Sequence, residues 1–396
     1  MSDDSIVIVA ARRTAIGGFG GHLKDASVPQ LGAAVMQACM EDSAVPGADL
    51  SEVLMGCVLP AGVGQAPARQ AMLAAGLPVD VGATTLNKVC GSGMKAVMTA
   101  HDLIRAGSAE VVLAGGMESM SGAPYVLPKA RFGLRMGHAQ LLDHMFFDGL
   151  QNPYDGNMMG HFAEETVTRY GFTREQQDDF ARRSVERAIA AVESGAFSGE
   201  IAPVTVSTRR AEVTVSEDEE PFNCAIDKIP TLRPAFRRDG TVTAASSSSI
   251  SDGAAALLIM SAAEAGRRGL TPLARIAGHA SHAQAPEWFT TAPAGAIRKL
   301  LAQTGWASGD VDLYEINEAF ACVTMAAMED LSLPADRVNV NGGACALGHP
   351  IGATGARLIV TLVHALRARG LSRGVAALCI GGGEATALAV EIPAAA

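Results

Sequence analysis

Apolar positions along the chain fall into two alternating patterns, short unbroken runs that predict buried strands and longer stretches with helical spacing. Val97, Met98, His101 and Ile104 mark one face of a helix closed by Gly107, and the strand-like run Val111-Val-Leu-Ala-Gly115-Gly116 follows. The same order returns near the C-terminus. His101-Asp-Leu-Ile-Arg-Ala-Gly107 aligns with His364-Ala-Leu-Arg-Ala-Arg-Gly370, and the run after the second helix is Val375-Ala-Ala-Leu-Cys379-Ile-Gly381-Gly382. Upstream, Ala48-Asp49-Leu-Ser-Glu-Val-Leu-Met55 matches Gly309-Asp310-Val-Asp-Leu-Tyr-Glu-Ile316. Three matches in one order, about 260 residues apart, predict duplicated halves of alternating strand and helix in an α/β fold.

Between the halves, residues 122–250 are richer in charge, Met and aromatic residues and read as an inserted lid. A helix is predicted from Thr173 to Ser194, opened by Thr173 with Gln176 in capping-box spacing and ended by Gly195. Glu217-Asp-Glu-Glu220 is expected to be a solvated acidic turn. The segment from Met120 to Gly149, with Tyr125, Phe132, Phe146 and Phe147, is either an exposed interface or a packed lid.

Composition narrows the function classes. A chain of 396 residues with 48% hydrophobic content can bury a large core, enough for two or three domains. A net charge of −10 disfavours nonspecific binding to nucleic acid or anionic membrane. The acidic start Met1-Ser2-Asp3-Asp4 is unlike a signal peptide, and no apolar stretch approaches the ~20 residues of a membrane span. Seven scattered cysteines argue against a disulfide framework and for a reducing compartment. The C-terminal Pro393-Ala-Ala-Ala396 carries no peroxisomal tripeptide, so a cytoplasmic location is expected.

Candidate chemistry centres on Cys90, in Asn87-Lys-Val-Cys90-Gly-Ser-Gly93, where an extended segment turns into a helix. A thiolate at a helix N-terminus is stabilised by the dipole and free N–H groups, which would lower its pKa; a small apolar core cysteine is the alternative. The second half offers Gly342-Gly-Ala-Cys345-Ala-Leu-Gly-His349-Pro-Ile-Gly352, again a glycine-rich approach to a helix. Duplicated units sharing an interface would face the Cys90 thiol with the His349 imidazole, the nucleophile and base that acyl transfer needs, unless His349 is a structural histidine. Cys379 could add a second acid or base, and Gly381 to Gly383 either admit backbone N–H groups close to an oxyanion or merely permit tight packing. Asn317 either holds a polarising water or caps a helix. Cys345 and His349 have a C-x-x-x-H spacing, but no second ligand pair accompanies them, so no metal is assigned. Gly91-Ser-Gly93-Met-Lys-Ala96 also fits a dinucleotide fingerprint, with Glu118 as ribose partner, which keeps a nicotinamide oxidoreductase as the competing reading.

Taken together, Asn87 to Gly93, Gly115-Gly-Met-Glu-Ser119, Leu232-Arg-Pro-Ala-Phe236, Asn317-Glu-Ala-Phe320, Gly342 to Gly352 and Cys379-Ile-Gly-Gly-Gly383 resemble the signature blocks of thiolases, in family order over nearly the whole chain. The resemblance implies a thiolase fold: two βαβαβαββ halves, residues 1–121 plus 251–272 and 273–396, in a five-layered αβαβα core, with 122–250 as a loop domain for coenzyme A and oligomer contacts. It implies action on CoA thioesters without metal or redox cofactor: reversible Claisen condensation of two acetyl-CoA to acetoacetyl-CoA and CoA through acetyl-Cys90, or thiolysis of longer 3-ketoacyl-CoA. Cys90 would be the nucleophile, His349 its activator and Cys379 the second proton carrier. His349 with a water on Asn317 would form one oxyanion site, the N–H groups of Cys90 and Gly381 the other. Met159, Phe236, Ser248, Ala319 and Phe320 match pantetheine-channel positions. Met158-Met159-Gly160-His161 departs from the family's His-Met order, and Ala245-Ser246 stands where a Gly-Asn pair is common. Glu220-Pro221-Phe222 replaces an arginine site, which leaves Lys228, Arg209 and Arg210 as candidates for the nucleotide phosphates. A homodimer or homotetramer is implied.

Overall fold

The computed structural model describes residues 3–207 and 211–394. The first half runs β1 (Ile6–Thr14), α1 (Val28–Ser43), β2 (Glu52–Gly56), α2 (Pro67–Ala74), β3 (Gly82–Leu86), α3 (Ser92–Arg105) and β4 (Val111–Ser119). After an insertion containing α4 (Met159–Tyr170) and α5 (Arg174–Glu193) comes β5 (Ser251–Ser261). The second half then runs β6 (Ala274–Ala283), α6 (Ala292–Thr304), β7 (Leu313–Ile316), α7 (Ala321–Leu331), α8 (Thr354–Arg369), β8 (Arg373–Ile380) and β9 (Glu384–Glu391).

The duplication is visible in strand order. Strands of the first half lie β1-β5-β4-β2-β3, and those of the second lie β6-β9-β8-β7, with a parallel bridge from Tyr314 to Val338 where a further strand would stand. The matched segments superpose in role: α3 with α8, β4 with β8, β2 with β7. One feature departs from two separate sheets. Val7 pairs with Arg275 and Ile8 with Ala274, so β1 and β6 join both halves into a single 11-stranded sheet.

Layering follows from the period-2 alternation of the strands. Ile6, Ile8, Val112, Ala114, Leu257, Ile259, Ala376, Leu378 and Leu388 face a middle layer made by α3 and α8. Val7, Leu113, Leu258 and Met260 face α1 and α2, whereas Val375, Ala377, Ala387 and Ala389 face α6. Both faces of the sheet are covered, which explains why these strands read as unbroken apolar runs. The result is the five-layered αβαβα arrangement, with α3 and α8 packed against each other and against strands of both halves. Gly93 belongs to that contact: a Cβ there would lie 2.9–3.1 Å from backbone atoms of Ala356, Gly352 and Ala353.

Within the insertion, α5 begins as its capping box predicts, with the Thr173 hydroxyl accepting from Gln176 N–H. Glu217 to Glu220 is not a solvated acidic turn. Arg13 enters the core from β1 fully buried and needs carboxylate partners there; Asp218 supplies two oxygens at 2.7 and 2.8 Å, and Glu200 pairs with it too. Asp218 also accepts Ile16 N–H at 2.8 Å, and Glu219 accepts the backbone N–H of Gly18 and His22. Tyr125, Phe132, Phe146 and Phe147 are exposed, whereas Met120, Met145 and Gly149 at the ends of their segment are buried, so the segment is packed at its ends and open between them.

Candidate active site

Cys90 sits in a tight turn between β3 and α3, held by the polar residues flanking it. Asn87 Oδ1 accepts Val89 N–H at 2.9 Å; the buried Ser92 hydroxyl accepts Lys88 N–H at 2.8 Å and donates to Val89 C=O at 2.6 Å. Val89 adopts φ of 48°, a left-handed conformation that a β-branched residue takes only when its surroundings impose it. Lys88 forms an ion pair with Glu384, which ties the turn to β9 of the other half.

The helix dipole was expected to lower the Cys90 pKa; burial outweighs it. Packed against Met120, Leu150 and Ile351, the thiol is pushed up to about 11, although the backbone N–H groups of Gly381 and of Cys90 itself pull the other way. Cys90 is thus a neutral thiol at rest, with two N–H groups aimed at its sulfur. Gly381 follows β8, and Gly382 and Gly383 take φ of 95° and 90°, so the three glycines form a turn as well as a donor.

A candidate base lies in the loop before α8. His349 is buried, its Nδ1 lies 2.7 Å from Thr354 Oγ1, and its Nε2 has no hydrogen-bond partner among the described residues. Burial, with Arg357 nearby, holds its pKa at about 3, so the ring is neutral at rest. Cys379 is the penultimate residue of β8 and is buried; burial first and the neighbouring Cys90 second hold its thiol far above the ordinary range. Asn317 is not a helix cap, because α7 begins at Ala321 after Phe320. Both polar atoms of its side chain are buried without protein partners among the described residues, which suits a residue that anchors water.

Cys90, His349, Cys379 and Gly381 line one cavity of about 210 Å³, together with Met159, Phe236, Ser248, Ala319 and Phe320. Ser248 donates to Ala319 C=O at 3.1 Å, and the rings of Phe236 and Phe320 meet edge to face at 5.7 Å. Met158 lines the cavity too, whereas His161 pairs with Glu165 at 3.3 Å, so the polar position of the family's His-Met order is filled by sulfur. Lys228 is exposed and stands outside this cavity; Arg209 and Arg210 lie outside the described residues. Cys345 Sγ lies 3.7 Å from Glu318 C=O rather than beside another ligand.

The dinucleotide reading fails on geometry. Gly93 is packed between α3 and α8, and Glu118 is fully buried, accepting N–H from Val58 at 2.9 Å, Leu59 at 3.1 Å and Gly352 at 2.9 Å. Sequence reasoning missed that role and that of Thr354. Glu118 sits in the Gly-Gly-Met-Glu-Ser block and Thr354 two residues beyond the histidine block, but neither spacing announces the partner.

The fold and the comparisons define an acyltransferase. The Thiolase, N-terminal domain model matches residues 6–263 and the Thiolase, C-terminal domain model matches 270–392. The chain belongs to the thiolase family. It is 50% identical to the acetyl-CoA acetyltransferase of Chromobacterium violaceum over 98% of this chain and 100% of that one. It is 51% identical to the acetyl-CoA acetyltransferase of Pseudomonas aeruginosa, over 97% and 98%. The crystal structure of the Bacillus anthracis acetyl-CoA acetyltransferase matches with a TM-score of 0.96 at 44% identity, covering 98% of this chain and 99% of that one.

Proposed function

We propose that this chain is an acetyl-CoA C-acetyltransferase, condensing two acetyl-CoA to acetoacetyl-CoA and CoA, and reversing the reaction, through an acetyl-Cys90 intermediate. The observation that carries this reading is the meeting of a neutral thiol, a free imidazole nitrogen, a second thiol and the Gly381 N–H in one apolar cavity. The proton passes from Cys90 to His349 Nε2 as the sulfur attacks the thioester carbonyl, whose oxygen the N–H groups of Cys90 and Gly381 receive. The departing CoA sulfur takes the Cys379 proton, leaving Cys379 a thiolate beside an imidazolium. That thiolate removes an α-proton from the second acetyl-CoA, while His349 Nε2–H and a water on Asn317 hold the enolate oxygen. The enolate carbon attacks acetyl-Cys90, the Cys90–carbonyl bond breaks, and His349 returns its proton to the Cys90 sulfur. No metal or redox cofactor enters this balance.

Met120, Phe146, Leu150 and Ile351 bound the cavity near Cys90, which favours a short acyl group over the longer chains of a broad 3-ketoacyl-CoA thiolase. Met159, Phe236, Ser248, Ala319 and Phe320 line the pantetheine path, and Lys228 is a candidate for the nucleotide phosphates. All seven cysteines are free, consistent with a cytoplasmic enzyme, and among the described residues no helix is long and apolar enough to cross a membrane. Exposed Phe132, Met136 and Leu141 suit a homodimer or homotetramer contact.

The test is intact mass after mixing with acetyl-CoA. One acetyl group on the wild type and none on Cys90→Ala is the expected result; no adduct, or equal adducts, refutes the mechanism. A panel of 3-ketoacyl-CoA lengths separates the short-chain from the broad activity.

A further inference from the structure

Away from the active site, three potential ligand atoms from two halves of the fold converge. His101 and Asp102 lie near the end of α3, and His279 lies on β6. His279 Nε2 is 3.1 Å from His101 Nδ1 and 2.9 Å from Asp102 Oδ1, and His101 Nδ1 is 3.0 Å from the same oxygen. The imidazole rings are almost perpendicular, at 89°, with centroids 4.8 Å apart. Both histidines are largely buried and Asp102 is exposed, so the site has an enclosed side and an open one.

Protons satisfy this triangle only at a cost. One proton, on His279 Nε2, can be shared between Asp102 and His101, but it leaves the His101 lone pair against a carboxylate oxygen. Two protons, one on each ring, both point at Asp102 and set N–H against N–H across 3.1 Å. A cation at the centre meets all three lone pairs at once. Ligands about 2.05 Å from a tetrahedral metal stand roughly 3.3 Å apart, so the observed spacing needs to open by only a few tenths of an ångström. Two imidazoles and one carboxylate select a zinc-like divalent ion over magnesium or calcium, which prefer oxygen. Lys95, on the same helix, is the nearby positive charge that opposes binding.

We propose that His101, Asp102 and His279 form a site for a divalent transition metal of the zinc class, with water in the remaining position. The bound ion clips α3 of the first half to β6 of the second. It takes no part in acetyl transfer: His101 lies eleven residues beyond Cys90 along the chain, roughly 16 Å at helical rise.

Cobalt(II) is the probe, titrated into chelator-treated full-length protein. The expected result is one ion per chain, visible d–d absorption without a thiolate charge-transfer band, and a higher thermal midpoint that zinc reproduces. His279→Gln should weaken binding at least about tenfold, and Asp102→Asn, an exposed replacement that keeps the fold, should weaken it as well; neither should change acetyl transfer. Binding that survives both substitutions, binding with a thiolate band, or no saturable binding overturns the assignment.

Discussion

Thr354 fixes the tautomer of His349. Its hydroxyl donates to Pro350 C=O at 3.0 Å and so presents a lone pair to His349 Nδ1, 2.7 Å away. The ring proton is thereby held on Nδ1, and Nε2 is left bare, as the proposed proton transfer from Cys90 requires. Thr354→Val keeps the volume and removes the acceptor. Condensation kcat should fall by about 10- to 100-fold, the scale of losing a group that orients a working histidine, and Thr354→Ser should restore most of it.

The two thiols make separable demands. Cys90→Ala should abolish acyl-enzyme formation, whereas Cys379→Ala should still take up an acetyl group slowly but lose condensation by at least about 10²-fold, as expected for deleting an acid-base group. Rapid-quench mass measurement reads the first step and acetoacetyl-CoA formation reads both. Full turnover in Cys379→Ala would remove that residue from the proton path.

Acid sensitivity should report His349. Its pKa is about 3 in the folded chain, set first by burial and then by Arg357, against about 6.5 in the unfolded chain. Between these values the unfolded chain binds a proton that the folded chain does not, so the contribution is fully present above pH ~6.5 and is lost as pH falls toward ~3. Urea midpoints measured at about pH 7 and pH 5 should therefore differ less in His349→Gln than in the wild type. An identical difference would place the acid sensitivity elsewhere.

Ser92 and Glu118 hold the walls around Cys90. Ser92→Ala removes the acceptor for Lys88 N–H and the donor to Val89 C=O, freeing the left-handed Val89. Acylation should slow while overall stability drops by only about 1 kcal/mol. Glu118→Gln turns an NH2 either toward the Leu59 N–H or toward those of Val58 and Gly352, and should cost about 1–3 kcal/mol in urea unfolding.

Much of this architecture was legible because it repeats. Two helix–strand units of one order, about 260 residues apart, carried the halves, and glycine-rich turns before α3 and α8 pointed to Cys90 and His349. What periodicity could not reveal was sign. The dipole at α3 favours a thiolate, but the apolar wall of Met120, Leu150 and Ile351 outweighs it, and burial in three dimensions leaves no mark on local spacing. The acidic turn failed likewise: Asp218 looks like surface until Arg13, more than 200 residues earlier, is seen buried against it. Lys228 had no pattern beyond its charge.

The seam between β1 and β6 is only two residue pairs long, yet the chemistry is divided across it. Cys90 stands on one side; Asn317, His349, Cys379 and Gly381 stand on the other. Cut between the halves, the polypeptide would yield one fragment with the proposed nucleophile and no base, and another with the proposed base and nothing to activate. On the proposed mechanism, reactivity belongs to neither half but to their apposition, and reassembly of the two pieces would have to restore it.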